Sequence, residues 1–309
     1  MKTLACLAAL VATVLPAAAQ TTTATGATVA PKKATKSVLQ QEEPVKPDKP
    51  GKVEPQEDER LGGTLIDCAE RPTSTWTPHV CGEGAIVVEA GIDFASEDGN
   101  QLDGKTFTIP TIARYGLSES FELFIVADAL INRSGEDPRS GAEIDALGLG
   151  DVTLGTKWGI LKDGGALPAV GSVALWKLPT ADDGEGLGSG EGDLYFITCL
   201  GKHLSDYIAL NGNFGLAFIS DTGEQNSFLM RKLGSVEVRW QIGDITVLGE
   251  LVWRSQIKPM IGTETFARVG AAYFITEDIR VDLALRIGIS EDAEDFALTA
   301  GLSIALSGP

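Results

Sequence analysis

The stretch Ile279-Arg280-Val281-Asp282-Leu283-Ala284-Leu285-Arg286-Ile287-Gly288-Ile289 puts an aliphatic residue at every odd position and a charged or small one at every even position. A short acidic turn, Ser290 to Asp295, follows. Then Phe296, Leu298, Ala300, Leu302, Ile304 and Leu306 alternate with Ala297, Thr299, Gly301, Ser303, Ala305 and Ser307. Successive side chains of a strand point to opposite faces, so these are two antiparallel strands, each with one apolar and one polar or small face. Membrane strands need about 9–11 residues, whereas globular strands are mostly about 5–6. The length favours a transmembrane β-barrel.

Working backwards, the same alternation recurs in Ile86–Phe94, Phe107–Tyr115, Phe121–Ala129, Val152–Ile160, Leu194–Lys202, Tyr207–Phe218, Val236–Trp240, Ile245–Trp253 and Ala267–Tyr273. Ala169–Leu178 is apolar on both faces, which leaves its register open. With the final pair the total is twelve strands, an even number as a closed bacterial barrel requires. The fold class is therefore an all-β, antiparallel up-and-down barrel. The connections support the count, because long ones (Ala95–Gly104, Asn132–Leu149, Pro179–Gly192, Ser220–Asn226, Ser255–Gly262) alternate with short ones (Gly116–Ser120, Lys162–Gly165, Leu204–Asp206, Ile242–Asp244, Thr276–Asp278). Short periplasmic turns and longer extracellular loops would place both ends of the barrel on the periplasmic side.

A soluble β-sandwich or barrel is the competing fold, since alternation says only that two environments differ. The chain ends Leu306-Ser307-Gly308-Pro309 and lacks the terminal aromatic residue on which outer-membrane strands commonly finish. Strand length, an uninterrupted meander and polar faces rich in Gly, Ala, Ser and Thr decide for the membrane barrel.

Ahead of the barrel, residues 1–19 read as a secretory signal: Lys2, an apolar run from Leu4 to Leu15, then Ala17, Ala18 and Ala19. Residues 20–60 hold Glu43-Pro44-Val45-Lys46-Pro47-Asp48-Lys49-Pro50 and almost no aromatic residue, the composition of a disordered, proline-stiffened periplasmic spacer. Residues 61–84 form a pre-barrel segment, and 85–309 the barrel. In an exported chain Cys68 and Cys81 are expected to form a disulfide. Metal ligation is the weaker alternative, because only His79 and His203 exist and neither lies in a ligand-spaced cluster. A net charge of −18 argues against nucleic acid as a partner.

Several blocks resemble the bacterial outer-membrane family named for the meta-cleavage pathway of phenol degradation. They are Thr111-Ile112-Ala113-Arg114-Tyr115-Gly116-Leu117-Ser118-Glu119-Ser120-Phe121-Glu122-Leu123, Gly150-Asp151-Val152-Thr153-Leu154-Gly155-Thr156-Lys157, Ala174-Leu175-Trp176-Lys177-Leu178-Pro179-Thr180 and Asn211-Gly212-Asn213-Phe214-Gly215. The resemblance implies a barrel that handles small aromatic or other hydrophobic compounds. Outer-membrane lipid and the barrel-assembly machinery are then the expected partners.

No nucleophile–base arrangement, cofactor motif or metal cluster is visible, so the expectation is a channel or transporter of the cell outer membrane without catalytic turnover. A non-transporting structural or adhesion barrel is the alternative. The residues expected to face the lumen, and so any permeant, are Glu89, Asp93, Arg114, Glu122, Asp128, Asp151, Lys157, Glu237, Arg239, Glu250, Arg254, Arg268, Arg280, Asp282 and Arg286. In a wet lumen such groups stay charged without the desolvation cost of a dry core, and they are expected to pair as a ladder along the wall. His79 and His203 read as ordinary surface residues. The acidic loop residues Glu136, Asp137, Asp182, Asp183 and Glu185 lack calcium-loop spacing.

Overall fold

The computed structural model describes residues 65–98, 102–138, 140–221, 227–257 and 262–307. The signal and the spacer lie outside the described residues. A short 3-10 helix, Leu65–Cys68, precedes thirteen strands: β1 Ile86–Asp98, β2 Asp103–Ser118, β3 Phe121–Asp137, β4 Ala142–Gly148, β5 Val152–Leu161, β6 Ala169–Leu178, β7 Asp193–His203, β8 Ile208–Ser220, β9 Phe228–Ile242, β10 Ile245–Arg254, β11 Glu264–Thr276, β12 Ile279–Gly288 and β13 Phe296–Ser307. All pair antiparallel with their neighbours, and β1 closes on β13 through Glu89↔Ser303 and Asp93↔Thr299. β4 pairs with Ile131–Asp137 of β3, and β5 with Phe121–Ala127 of the same strand. The two therefore share one position in the wall, and the barrel has twelve positions.

The strands extend past the expected boundaries. β1 and β2 meet across Asp98↔Asp103, and β3 and β4 across Asp137↔Ala142, where loops were expected over Ala95–Gly104 and much of Asn132–Leu149. β9 likewise begins at Phe228, well before Val236. The physical reason is that strand pairing continues into water, where both faces are solvated and no apolar alternation is required. Periodicity cannot report such extensions.

The outward face is apolar. Leu283 is 55% exposed and Ala284 only 2%, and this pattern of exposed aliphatic and buried neighbour repeats along β10 and β12. Exposed aromatic residues gather at the two ends of the wall. Tyr115, Trp158, Tyr207, Trp240 and Tyr273 lie at the end with the short turns, here the lower end, and Phe94, Trp176, Phe196, Trp253 and Phe296 at the upper. An apolar band between two aromatic girdles is the outer surface of a membrane barrel, and the inverse of a soluble one. The register of β6, open in sequence, is settled by its neighbours: Gly171, Val173 and Leu175 face inward, Trp176 outward.

Candidate functional site

The pre-barrel segment is inside the lumen. Ile66, Cys68 and Ala69 pack on Val87 and Ala305 near the lower end, with Phe274 beside them. The chain climbs to Ser74 and Thr75 at mid-height, where Thr75 Oγ1 donates to Glu250 (2.6 Å) and lies 2.9 Å from the Ser235 hydroxyl. It returns through Trp76 and Pro78 to Cys81, which forms the expected disulfide with Cys68. Cys199 is buried and free on the inner face of β7.

Many polar groups of this plug meet a counterpart on the wall. Glu89 accepts the backbone N–H groups of Glu70 (3.0 Å) and Arg71 (2.9 Å). The Arg71 guanidinium reaches Asp282 (3.1 Å) and Thr299 (3.2 Å). Lys157 Nζ donates to Glu70 and to the His79 carbonyl, at 2.7 and 2.6 Å. Cys81 N–H donates to Glu122 (2.6 Å), Arg268 reaches Ser74, and Arg280 donates to the carbonyls of Ala69 and Arg71. Asn213 makes two bonds of 2.7 Å to the Trp76 backbone, acting as a peptide group would in a sheet.

The wall's glycines fit the same segment. A Cβ at Gly91 or Gly301 would strike the Arg71 guanidinium, one at Gly116 the Gly82 carbonyl, and one at Gly171 or Gly201 the ring of Pro78. In the sequence these glycines read only as part of the small-residue inner faces of the strands. Their spacing carries a second meaning, visible only once the segment is seated against them.

All fifteen sequence-selected residues lie on inward-facing strand positions or at the barrel rim, but their surroundings differ from the expected wet lumen. Arg114 is 1% exposed and Lys157 0%. Arg114 bridges Glu89 (2.7 Å) and Glu122 (2.8 Å), while its guanidinium lies over the rings of Trp76 and Phe124. Glu250 pairs with Arg268, and Glu237 with Arg239, whose Nη2 is 3.8 Å from Glu70. In the lower lumen these charges hold the plug rather than line a water path. The remaining residues sit higher: Asp93 with Arg286, Arg254 with Glu264, Asp128 under the β4–β5 junction, and Asp151. Asp151 accepts the N–H groups of Thr180 and Ala181, both at 2.9 Å, so it anchors a loop.

His79 and His203 also depart from expectation. They approach each other at the lower rim with ring centroids 6.0 Å apart, and His203 Nδ1 lies 3.3 Å from Asp163. Burial, then the nearby Lys157 and His203, push the His79 imidazole down to about 4. The Asp163 carboxyl is held at about 2 by hydrogen bonds from Lys202 and the His203 backbone.

Sequence reading missed the inward-facing apolar residues. Phe124, Val173, Ile197 and Cys199 form a buried cluster inside the lumen, with Trp76, Ile112, Val126, Leu175 and Leu233 packed on it. The signal was present in the two-sided hydrophobicity of β6 and in Tyr195, Ile197 and Cys199 on the second face of β7. Above Trp76 this surface opens into a cavity of about 290 Å³, lined by Leu175, Ile197, Leu233 and Val252 together with Arg231 and Arg254.

The family model described as "Putative MetA-pathway of phenol degradation" matches residues 69–306, which takes in most of the plug along with the barrel. The chain belongs to this family. Among curated proteins none matches it. Among solved structures, an outer-membrane channel from Pseudomonas putida F1 is similar at 17% identity and a TM-score of 0.59, covering 77% of this chain and 100% of that one. The NanC porin is similar at 12% identity and a TM-score of 0.51, covering 72% of this chain and all of the other. Both likenesses are of fold. Together with the girdled apolar surface, family membership makes this chain an outer-membrane barrel.

Proposed function

We propose that this member of the phenol-degradation family is an outer-membrane channel for small hydrophobic or aromatic compounds, without catalytic turnover, whose lower lumen is closed by its own pre-barrel segment. The observation that carries the reading is the apolar surface inside the barrel, from Phe124 and Val173 up to Leu175, Leu233 and Val252. A barrel serving only as a scaffold needs no such surface facing inward. Release of small compounds then requires the plug to shift, since charged side chains and Pro78 occupy the lower half. The plug also favours a second reading, a sealed structural barrel, and one experiment separates the two. In planar lipid the protein should conduct weakly, and Glu70→Ala combined with Arg71→Ala should raise conductance several-fold. Liposomes carrying that variant should take up toluene faster than protein-free ones. Equal uptake with and without protein would leave the sealed barrel.

A further inference from the structure

We propose that the upper lumen binds small carboxylates carrying an apolar body about one ring in size; this deepens, and rests on, the channel reading. The cavity lining has two unlike parts. Leu175, Ile197, Leu233 and Val252, with Trp76, present carbon, and Arg231 and Arg254 stand two residues along β9 and β10 from Leu233 and Val252. Among the described residues its lining contains no carboxylate. Both guanidinium groups share one anion set at the cavity margin: Glu264 lies 2.8 Å from Arg231 and 3.0 Å from Arg254. Two cations on one carboxylate leave a positive charge over, in a chain whose net charge is −18.

The donors are also incompletely used. Arg231 Nε is spent on the Ser255 carbonyl at 3.0 Å. Its Nη2 is buried 2.8 Å from Glu264, an ion pair that falls short of hydrogen-bond geometry. Buried donors of this kind favour an incoming acceptor, and the guanidinium fork matches a carboxylate with two parallel bonds. Size agrees: a cavity of about 150 Å³ holds benzene, so about 290 Å³ takes one ring with a short acidic arm. A neutral hydrocarbon would satisfy the apolar lining only, and an inorganic anion the arginines only.

Benzoate, benzyl alcohol and acetate are the probes, titrated calorimetrically into the full-length protein in detergent. Benzoate should bind saturably and at least about tenfold more tightly than either of the others, one charge-assisted contact being of that order. Arg254→Gln should weaken benzoate by about tenfold or more and leave benzyl alcohol unchanged; Arg254 is chosen because its side chain is 39% exposed at the rim. Raising ionic strength on the unaltered protein should weaken benzoate alone, a readout that needs no variant. Equal affinity for benzoate and benzyl alcohol, or for benzoate and acetate, overturns the proposal, as does unchanged benzoate binding in folded Arg254→Gln. Binding is measured without a membrane, so a protein that binds benzoate but passes nothing refutes the channel and leaves the site standing.

Discussion

The two halves of one lumen are built on opposite principles. Below mid-height, ionised side chains from β1, β2, β3, β5 and β9 to β12 converge on Glu70, Arg71 and their neighbours, leaving a cavity of about 590 Å³ at the rim beside His79 and His203. Above mid-height, ion pairs such as Asp93–Arg286 and Arg254–Glu264 share the wall with the apolar residues that line a cavity of about 290 Å³. Both halves are made from strands with the same alternating pattern. The difference lies in what occupies the inner face: in the lower half a charge finds an opposite charge supplied by the plug, and in the upper half carbon faces a void. An inward carboxylate or guanidinium is thus a packing element in one place and, on the reading proposed above, a contact for a solute in the other.

That contrast can be broken in four ways. The largest effect is expected from Arg114→Leu, which strands Glu89 and Glu122 in a dry interior at a cost of about 3–5 kcal/mol. Heat-modifiable gel mobility should show a folded fraction that collapses. Next, removing the disulfide with Cys68→Ala and Cys81→Ala frees a loop whose closure is worth about 3 kcal/mol. Protease should then cut the plug while the barrel stays resistant; an unchanged digestion pattern would mean that the polar contacts alone seat it.

Acid should also loosen the lower half, and less strongly. Between the ordinary histidine value of 6.5 and the about 4 of seated His79, the released segment binds a proton that the seated one refuses. Seating is therefore complete above about pH 6.5, weakens as pH falls towards about 4, and levels off below. Plug protease sensitivity measured from pH 7 to pH 4 should rise, and His79→Gln should flatten the rise. The smallest effect belongs to the upper half. Leu233→Ala borders a cavity already present, so it should cost less than a closed-core truncation, about 1 kcal/mol or below, while thermal melting stays near that of the parent and neutral ring compounds bind more weakly.

The wall was legible in the sequence because lipid imposes a strict period on it. Ile279 to Leu306 alone declares strand, face and length, and the inward direction of Glu89, Arg114, Lys157, Arg268 and Asp282 follows from parity. Two things were not legible. Residues 61–84 have neither helical nor strand period, and the placement of residues 65–84 is fixed by partners scattered along the whole chain, from Glu89 to Thr299. The inner apolar cluster was hidden for a different reason: Val173, Leu175 and Ile197 alternate with outward residues that are also hydrophobic, so parity cannot say which of them faces the lumen.

Arg71 has one further consequence, which concerns time rather than energy. Synthesis delivers Arg71 before any strand exists, yet its acceptors, Asp282 and Thr299, belong to the last two strands made. The glycine that admits it on β1, Gly91, lies opposite Gly301 on β13, across the seam that closes the barrel. Arg71 can dock only when first and last strands have met. An incompletely zipped wall leaves that guanidinium without a berth, so docking of the earliest-made segment registers that the latest-made one has arrived.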